Sequence, residues 1–197
     1  ICVITYMVMF MLHKFCMSLA KRTSSDEDSD MQEVVAYGWE IFLSTAGNLI
    51  VLILLSLLLH CLPQMIIFIL CYSAIRSCTG GRHARNHFLC LLEYGICAFG
   101  GILVSELAVP AALPYTAVLG ILSLVIVWLF APYEHPNRPL SNTFQKQLKK
   151  RSRLAISLGI PIVCLVSLIY PLYGCVAGTA IFFESLTTIN LQRRKFL

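Results

Sequence analysis

Charge is what this chain has least of. Only 13% of its 197 residues are Asp, Glu, Lys or Arg, while 58% are hydrophobic and the mean hydropathy is +0.78. Soluble domains carry charge on about a quarter of their residues, so a water-soluble fold is excluded and an integral membrane protein is expected. CxxC spacing is missing as well. The nine cysteines (Cys2, Cys16, Cys61, Cys71, Cys78, Cys90, Cys97, Cys164 and Cys175) are odd in number, and most sit in apolar stretches where a thiol behaves as a small hydrophobe. No disulfide framework is expected. The net charge of +5 comes without an RNA-binding aromatic pattern or a helix-turn-helix signal, so the basic residues report on topology and not on nucleic acid. Residues 1–20, ICVITYMVMFMLHKFCMSLA, lack a basic leading region and a small-residue cleavage site. They read as an interfacial helix and not as a signal peptide.

What the chain has in abundance is apolar runs. After an acidic linker, KRTSSDEDSD (21–30), Asp30 is placed to cap a helix beginning near Met31. Residues 1–30 thus form an N-terminal interfacial segment with its linker, and 31–197 a single membrane-embedded domain. Runs at 39–60, 88–107, 115–130, 154–170 and 172–191 are long enough, or nearly so, for a hydrocarbon core that takes about 20 helical residues. A further run, QMIIFILCYSAI, has only 12 residues, or about 18 Å of helix.

Basic residues decide whether the short run crosses, because Lys and Arg in short loops mark the cytoplasmic side. They group at 14–22, 76–85, 138–153 and 193–195, while the connections HCLPQ, AVPAALP and YPLYG contain none. Six crossings, with both termini and every basic loop in the cytoplasm, satisfy that alternation. The expected fold is therefore all-α and polytopic, with six transmembrane segments, a short second one, and the 76–90 loop drawn to the cytoplasmic edge. Intramembrane polar residues need a partner or a role. Glu40, Asn48, Glu93, Glu106 and Glu184 are the candidates, and of these Glu93 alone is near that loop in sequence.

The loop contains GGRHARNHFLC (80–90). A cysteine of ordinary pKa, about 8.5, is poorly ionised at neutral pH unless a cation, an imidazole or a helix N-terminus assists it. All three are in reach. A helix capped by Asn86 would hold Cys90 in its first turn, where the dipole favours an anion, and Arg76, Arg82 and Arg85 add positive charge. His83 and Cys90 on one continuous helix would stand about 10 Å apart, too far for proton transfer. His83 would have to fold back over the first turn, a reversal that Gly80 and Gly81 permit. His87, three residues before the cysteine, is the rival base, and spacing alone slightly favours it. Cys78, His83, His87 and Cys90 also form a C-x4-H-x3-H-x2-C series of zinc-ligand types. Its spacing matches no common structural finger closely, and no metal or other cofactor is expected.

Three blocks in order carry a family resemblance: EVVAYGWEIFLS (33–44), R-x4-G-R-H-A-x5-C (Arg76, Gly81, His83, Ala84, Cys90) and APYEHPNRPLS (131–141). Over roughly residues 31–190 the chain resembles the accessory gene regulator B proteins, bacterial membrane endopeptidases that process the precursor of a cyclic quorum-sensing peptide. The resemblance implies a cysteine endopeptidase whose catalytic pair is His83 and Cys90, in place of His87, with Arg76 and Gly81 in support; Glu93, by its nearness in sequence, is a candidate third member that would orient His83, or else an interfacial anchor. It further implies an AgrD-like propeptide substrate with an amphipathic leader and an acidic tail, a homodimer, contact with membrane lipid, and a place in the bacterial cell membrane. KQLKKRSR (146–153) offers Lys146, Lys149, Lys150, Arg151 and Arg153 to attract that tail, or else to mark topology and touch anionic lipid. The rival reading is a non-enzymatic peptide transporter or export subunit, with the intramembrane carboxylates lining a path and Cys90 structural.

Overall fold

The computed structural model describes residues 14–20, 29–80, 87–132 and 142–189, and their regular structure is wholly helical. Residues 14–20 belong to α1. There follow α2 (Ser29–Leu58), α3 (Leu62–Thr79), α4 (His87–Ala108), a 3-10 turn (Val109–Ala111), α5 (Ala112–Phe130), α6 (Asn142–Ile169) and α7 (Pro171–Thr187). Each apolar run of the sequence is therefore a helix.

Four described stretches are long and apolar enough to cross a membrane: Val35–Leu58, Leu62–Thr79, Leu89–Phe130 and Thr143–Ile169. The third holds both α4 and α5, broken at the 3-10 turn where Pro110 has no N–H for a continuous helix. The expected short second segment is corrected here. Helix α3 has 18 residues, about 27 Å, because Arg76, Ser77, Cys78 and Thr79 continue it past the apolar run. Helix α6 likewise starts at Asn142, well before 154, since Gln, Lys, Leu and Arg are good helix formers.

Helix α7 is the axle of the bundle. It packs against α3, α4, α5 and α6, and every residue from Gly174 to Ile181 is buried. Small residues make this possible, since they let backbones approach where lipid provides no hydrophobic drive. A Cβ on Gly174 would lie 2.3 Å from the Ser167 Cα, and one on Gly178 would lie 3.3 Å from the Thr116 Cγ2. Hydroxyls join the layers. Thr179 hydrogen-bonds Ser105 (3.0 Å) and Tyr115 (2.8 Å), and Thr116 bonds Ser167 (3.1 Å); such bonds contribute about 0.6 kcal/mol each in a membrane. The outer faces carry exposed Leu and Ile, among them Leu54, Ile96, Leu103, Ile121, Leu158 and Ile162. They form the apolar girdle a bilayer covers.

One end of the bundle gathers the polar segments. Ile75 of α3, Val127 of α5, Ala131, Ile156 of α6 and Ile181 of α7 pack in one cluster. The end of α3, the end of α5 and the middle of α6 therefore meet around α7. At the start of α2, Ala36 packs against Cys16 and Ala20 of α1.

Candidate active site

The site begins with a stripe on α3. Phe68, Tyr72, Arg76 and Thr79, spaced by three or four residues, share one helix face, which turns toward α4 and α7. Tyr72 stacks with Phe68 and meets Tyr94 of α4 at 4.7 Å between ring centroids. Above these rings lies Arg76, its guanidinium 5.8 Å from the Tyr72 centroid and donating to the Tyr72 hydroxyl at 3.3 Å.

Its anionic counterpart comes from α7. Glu184 has no solvent exposure and lies 3.3 Å from Arg76 through its Oε2. Thr79, equally buried, shares its hydroxyl proton between Glu184 Oε1 (3.1 Å) and the Ile75 carbonyl (3.1 Å). A buried charge persists only where it is paired and its lone pairs are satisfied, and both conditions hold. Arg76 keeps 22% of its side chain exposed, so the pair stands at the bundle's edge with the cation on the open side.

The candidate nucleophile is Cys90. It lies in the first turn of α4, the fourth residue of a 22-residue helix, as the spacing predicted. It is half-buried and within electrostatic range of Arg76 and of Tyr94, one turn further on. The first-turn N–H groups, the helix dipole and the guanidinium all favour negative charge there. Helix α3 stops at Gly80, whose φ of 69° and N–H to the Arg76 carbonyl (3.0 Å) form a left-handed cap. Gly80 suits this place because a side chain is disfavoured at positive φ; the fold-back expected of His83 lies further on, outside the described residues. Gly81, His83 and the loop arginines Arg82 and Arg85 lie outside the described residues, as does the 133–141 block. His87 opens α4.

The remaining candidates are dispersed. Glu93 and Glu106 are exposed, and Glu40 is half-buried on α2. Lys146, Lys149, Lys150 and Arg151 are exposed on α6. Arg153 is engaged with α5, stacking over Trp128 at 4.5 Å and donating to the Trp128 carbonyl at 3.2 Å. Among the described residues no three His, Cys, Asp or Glu side chains cluster as a metal site. Sequence reading put Glu184 among the intramembrane carboxylates but gave it no partner, since Arg76 is 108 residues away. The available signal was the pairing rule itself: an acid and a base, each in an apolar helix, need each other.

The family model for accessory gene regulator B matches residues 12–188. The chain belongs to the AgrB family. Among curated proteins it is similar to AgrB-like protein 2 of Clostridium perfringens (strain 13 / Type A), 25% identical over 155 residues, covering 74% of this chain and 72% of that one. It is also similar to an AgrB-like protein of C. perfringens (strain SM101 / Type A), 24% identical with the same coverage. No solved structure matches. The AgrB match spans every helix of the bundle, so Arg76, Cys90 and Glu184 all fall within it.

Proposed function

We propose that this AgrB-family protein is a membrane cysteine endopeptidase that cleaves an AgrD-like propeptide and cyclises the autoinducer peptide. The observation that supports this reading best is the place of Cys90: first turn of α4, half-buried, one turn from Tyr94, which packs on the tyrosine beneath a guanidinium paired to a buried carboxylate. Those are the surroundings in which a thiol becomes a nucleophile.

In the proposed reaction His83 takes the proton from the Cys90 Sγ. The thiolate attacks a peptide carbonyl on the C-terminal side of the future signal peptide. The tetrahedral intermediate collapses, the C–N bond breaks, and His83 returns the proton to the leaving amine. The signal segment now hangs from Cys90 as a thioester. A thiol of the same segment gives its proton to His83, attacks that carbonyl, forms a thiolactone and expels the Cys90 thiolate, which recovers the proton from His83; a serine hydroxyl would give a lactone. Exchange of one thioester for another roughly conserves bond energy, so exclusion of water decides between cyclisation and hydrolysis. Half-burial of Cys90 within the bundle edge favours cyclisation.

The topology that goes with this chemistry has six crossings, with both termini and the Cys90 end in the cytoplasm of a bacterial cell. It rests on the alternation of basic and uncharged connections along the sequence, and a cytoplasmic edge is where a leader lying on the membrane surface and an acidic tail can both arrive. Homodimer formation belongs to the same reading. The transporter alternative needs carboxylates lining a common path, whereas Glu184 is paired and Glu93 and Glu106 are exposed on the outside.

The test is mass spectrometry of purified protein in liposomes incubated with a candidate propeptide. Wild type is expected to release the C-terminal fragment and carry an acyl adduct on Cys90, with cleavage lost in Cys90→Ala and His83→Ala but kept in His87→Ala. Intact propeptide with binding retained would sink the endopeptidase reading.

A further inference from the structure

The described residues contain one buried carboxylate that the proposed reaction does not use. Glu184 sits on the central helix, and its position costs free energy unless it does something for the fold or the site. Its contacts are directed. Both side-chain contacts of its carboxylate run to α3, to Arg76 and Thr79. These residues form the last turn before the loop that leads to Cys90.

An arginine at the end of a membrane helix has a ready alternative, which is to extend its long side chain toward water and lipid headgroups. Arg76 is instead turned inward across Tyr72 and onto Glu184. That orientation sets it over the Tyr72 ring, which packs on Tyr94 of α4, one helical turn from Cys90. We propose that Glu184 is the positioning residue of the active site: its buried carboxylate, anchored by Thr79, holds the Arg76 guanidinium over the Tyr72–Tyr94 pair, toward the first turn of α4 that carries Cys90. The inference rests on the endopeptidase reading for its functional meaning, but the geometry it asserts is independent of any substrate.

The ionisable groups of the packed elements at this end are Tyr72, Arg76 and Cys78 on α3, Cys90, Glu93 and Tyr94 on α4, and Glu184 on α7. Two opposing consequences of removing Glu184 can be separated. If Glu184 merely damps the field of a fixed Arg76, losing it makes Cys90 more reactive. If Glu184 holds Arg76 in place, losing it lets the cation swing outward, and Cys90 becomes less reactive. The proposal commits to the second.

The experiment measures the rate of alkylation of Cys90 by iodoacetamide against pH, by site-resolved mass spectrometry, in full-length protein in liposomes without substrate. Glu184→Gln, close to isosteric, is expected to slow alkylation at pH 7 about tenfold and displace the profile to the alkaline side. Arg76→Gln should do the same, and the double variant should be no slower than either, because both remove one arrangement. The exchanged pair Arg76→Glu with Glu184→Arg keeps an ion pair and guards against misfolding. It is expected to recover thermal stability without recovering Cys90 reactivity. Faster alkylation in Glu184→Gln, additive effects in the double variant, or full recovery of reactivity in the exchanged pair would each overturn the proposal. Propeptide cleavage by the wild type, run in parallel, separates the two failures: no cleavage with the alkylation pattern intact rejects the endopeptidase and leaves the positioning role standing.

Discussion

Two arginines at the same end of the bundle have opposite surroundings. Arg76 faces inward onto a fully buried carboxylate, with a tyrosine beneath it and a threonine locking its partner. Arg153 faces the flank, lying flat on the Trp128 ring and reaching one backbone carbonyl. The first is held by charge in a low dielectric, where each partner is costly without the other. The second is held by a cation–π contact at a rim, where water and lipid headgroups compete and the gain is small. The difference is one of consequence: a fixed charge can shape chemistry at a neighbouring atom, while a rim charge mostly ties two helices together.

Truncating each arginine makes the largest test of that contrast. Arg76→Ala is expected to reduce propeptide cleavage by at least about 100-fold. It should also destabilise the protein by about 3 to 5 kcal/mol, since it strands Glu184. Thermal denaturation in detergent and the liposome cleavage assay read both. Adding Glu184→Gln should return much of the stability and none of the activity. Arg153→Ala should leave cleavage within about twofold, and equal losses at the two positions would erase the distinction.

A smaller effect is expected from the exposed basic face of α6. Replacing Lys146, Lys149, Lys150 and Arg151 together by Gln should weaken propeptide binding about tenfold at low salt and far less at high salt, because exposed charges are screened. Fluorescence anisotropy of a labelled propeptide across a salt series checks this. Loss that ignores salt would assign the stretch to topology alone. The smallest effect belongs to Trp128→Leu, which should lower stability by about 0.5 to 1 kcal/mol with cleavage unchanged. A marked loss of cleavage there would mean that the rim arginine reaches the site after all.

Much of this arrangement was legible in the sequence, and the exceptions have physical causes. Hydropathy located every helix, yet it misjudged where α3 and α6 end, because it registers the apolar part of a helix and says nothing of Arg76–Thr79 or residues 142–153, which are polar and helical. The place of Cys90 in a first turn followed from local spacing, and the structure bears it out. Local spacing has no access to a contact 108 residues away, so the Glu184 partnership stayed hidden and Glu93 drew attention by being near in sequence. The role of α7 could have been suspected from composition. A helix of Gly, Ala, Thr and Cys among helices of Leu and Ile suits a protein interior better than a lipid face. The pairing of His83 with Cys90 depends on residues outside those described, and family resemblance is its support.

Helix α7 is also the last of these helices to leave the ribosome. Cys90 and Arg76 are made first, and the carboxylate that steadies the arginine follows 108 residues after it, about 5 to 20 s later at ordinary rates of synthesis. During that interval the nascent protein has Cys90, the proposed nucleophile, but neither the axle that closes the bundle nor the carboxylate that pairs with the guanidinium. A chain cut short before α7 is therefore expected to insert and remain inert. Activity would be withheld until translation has run through the helix that completes the core.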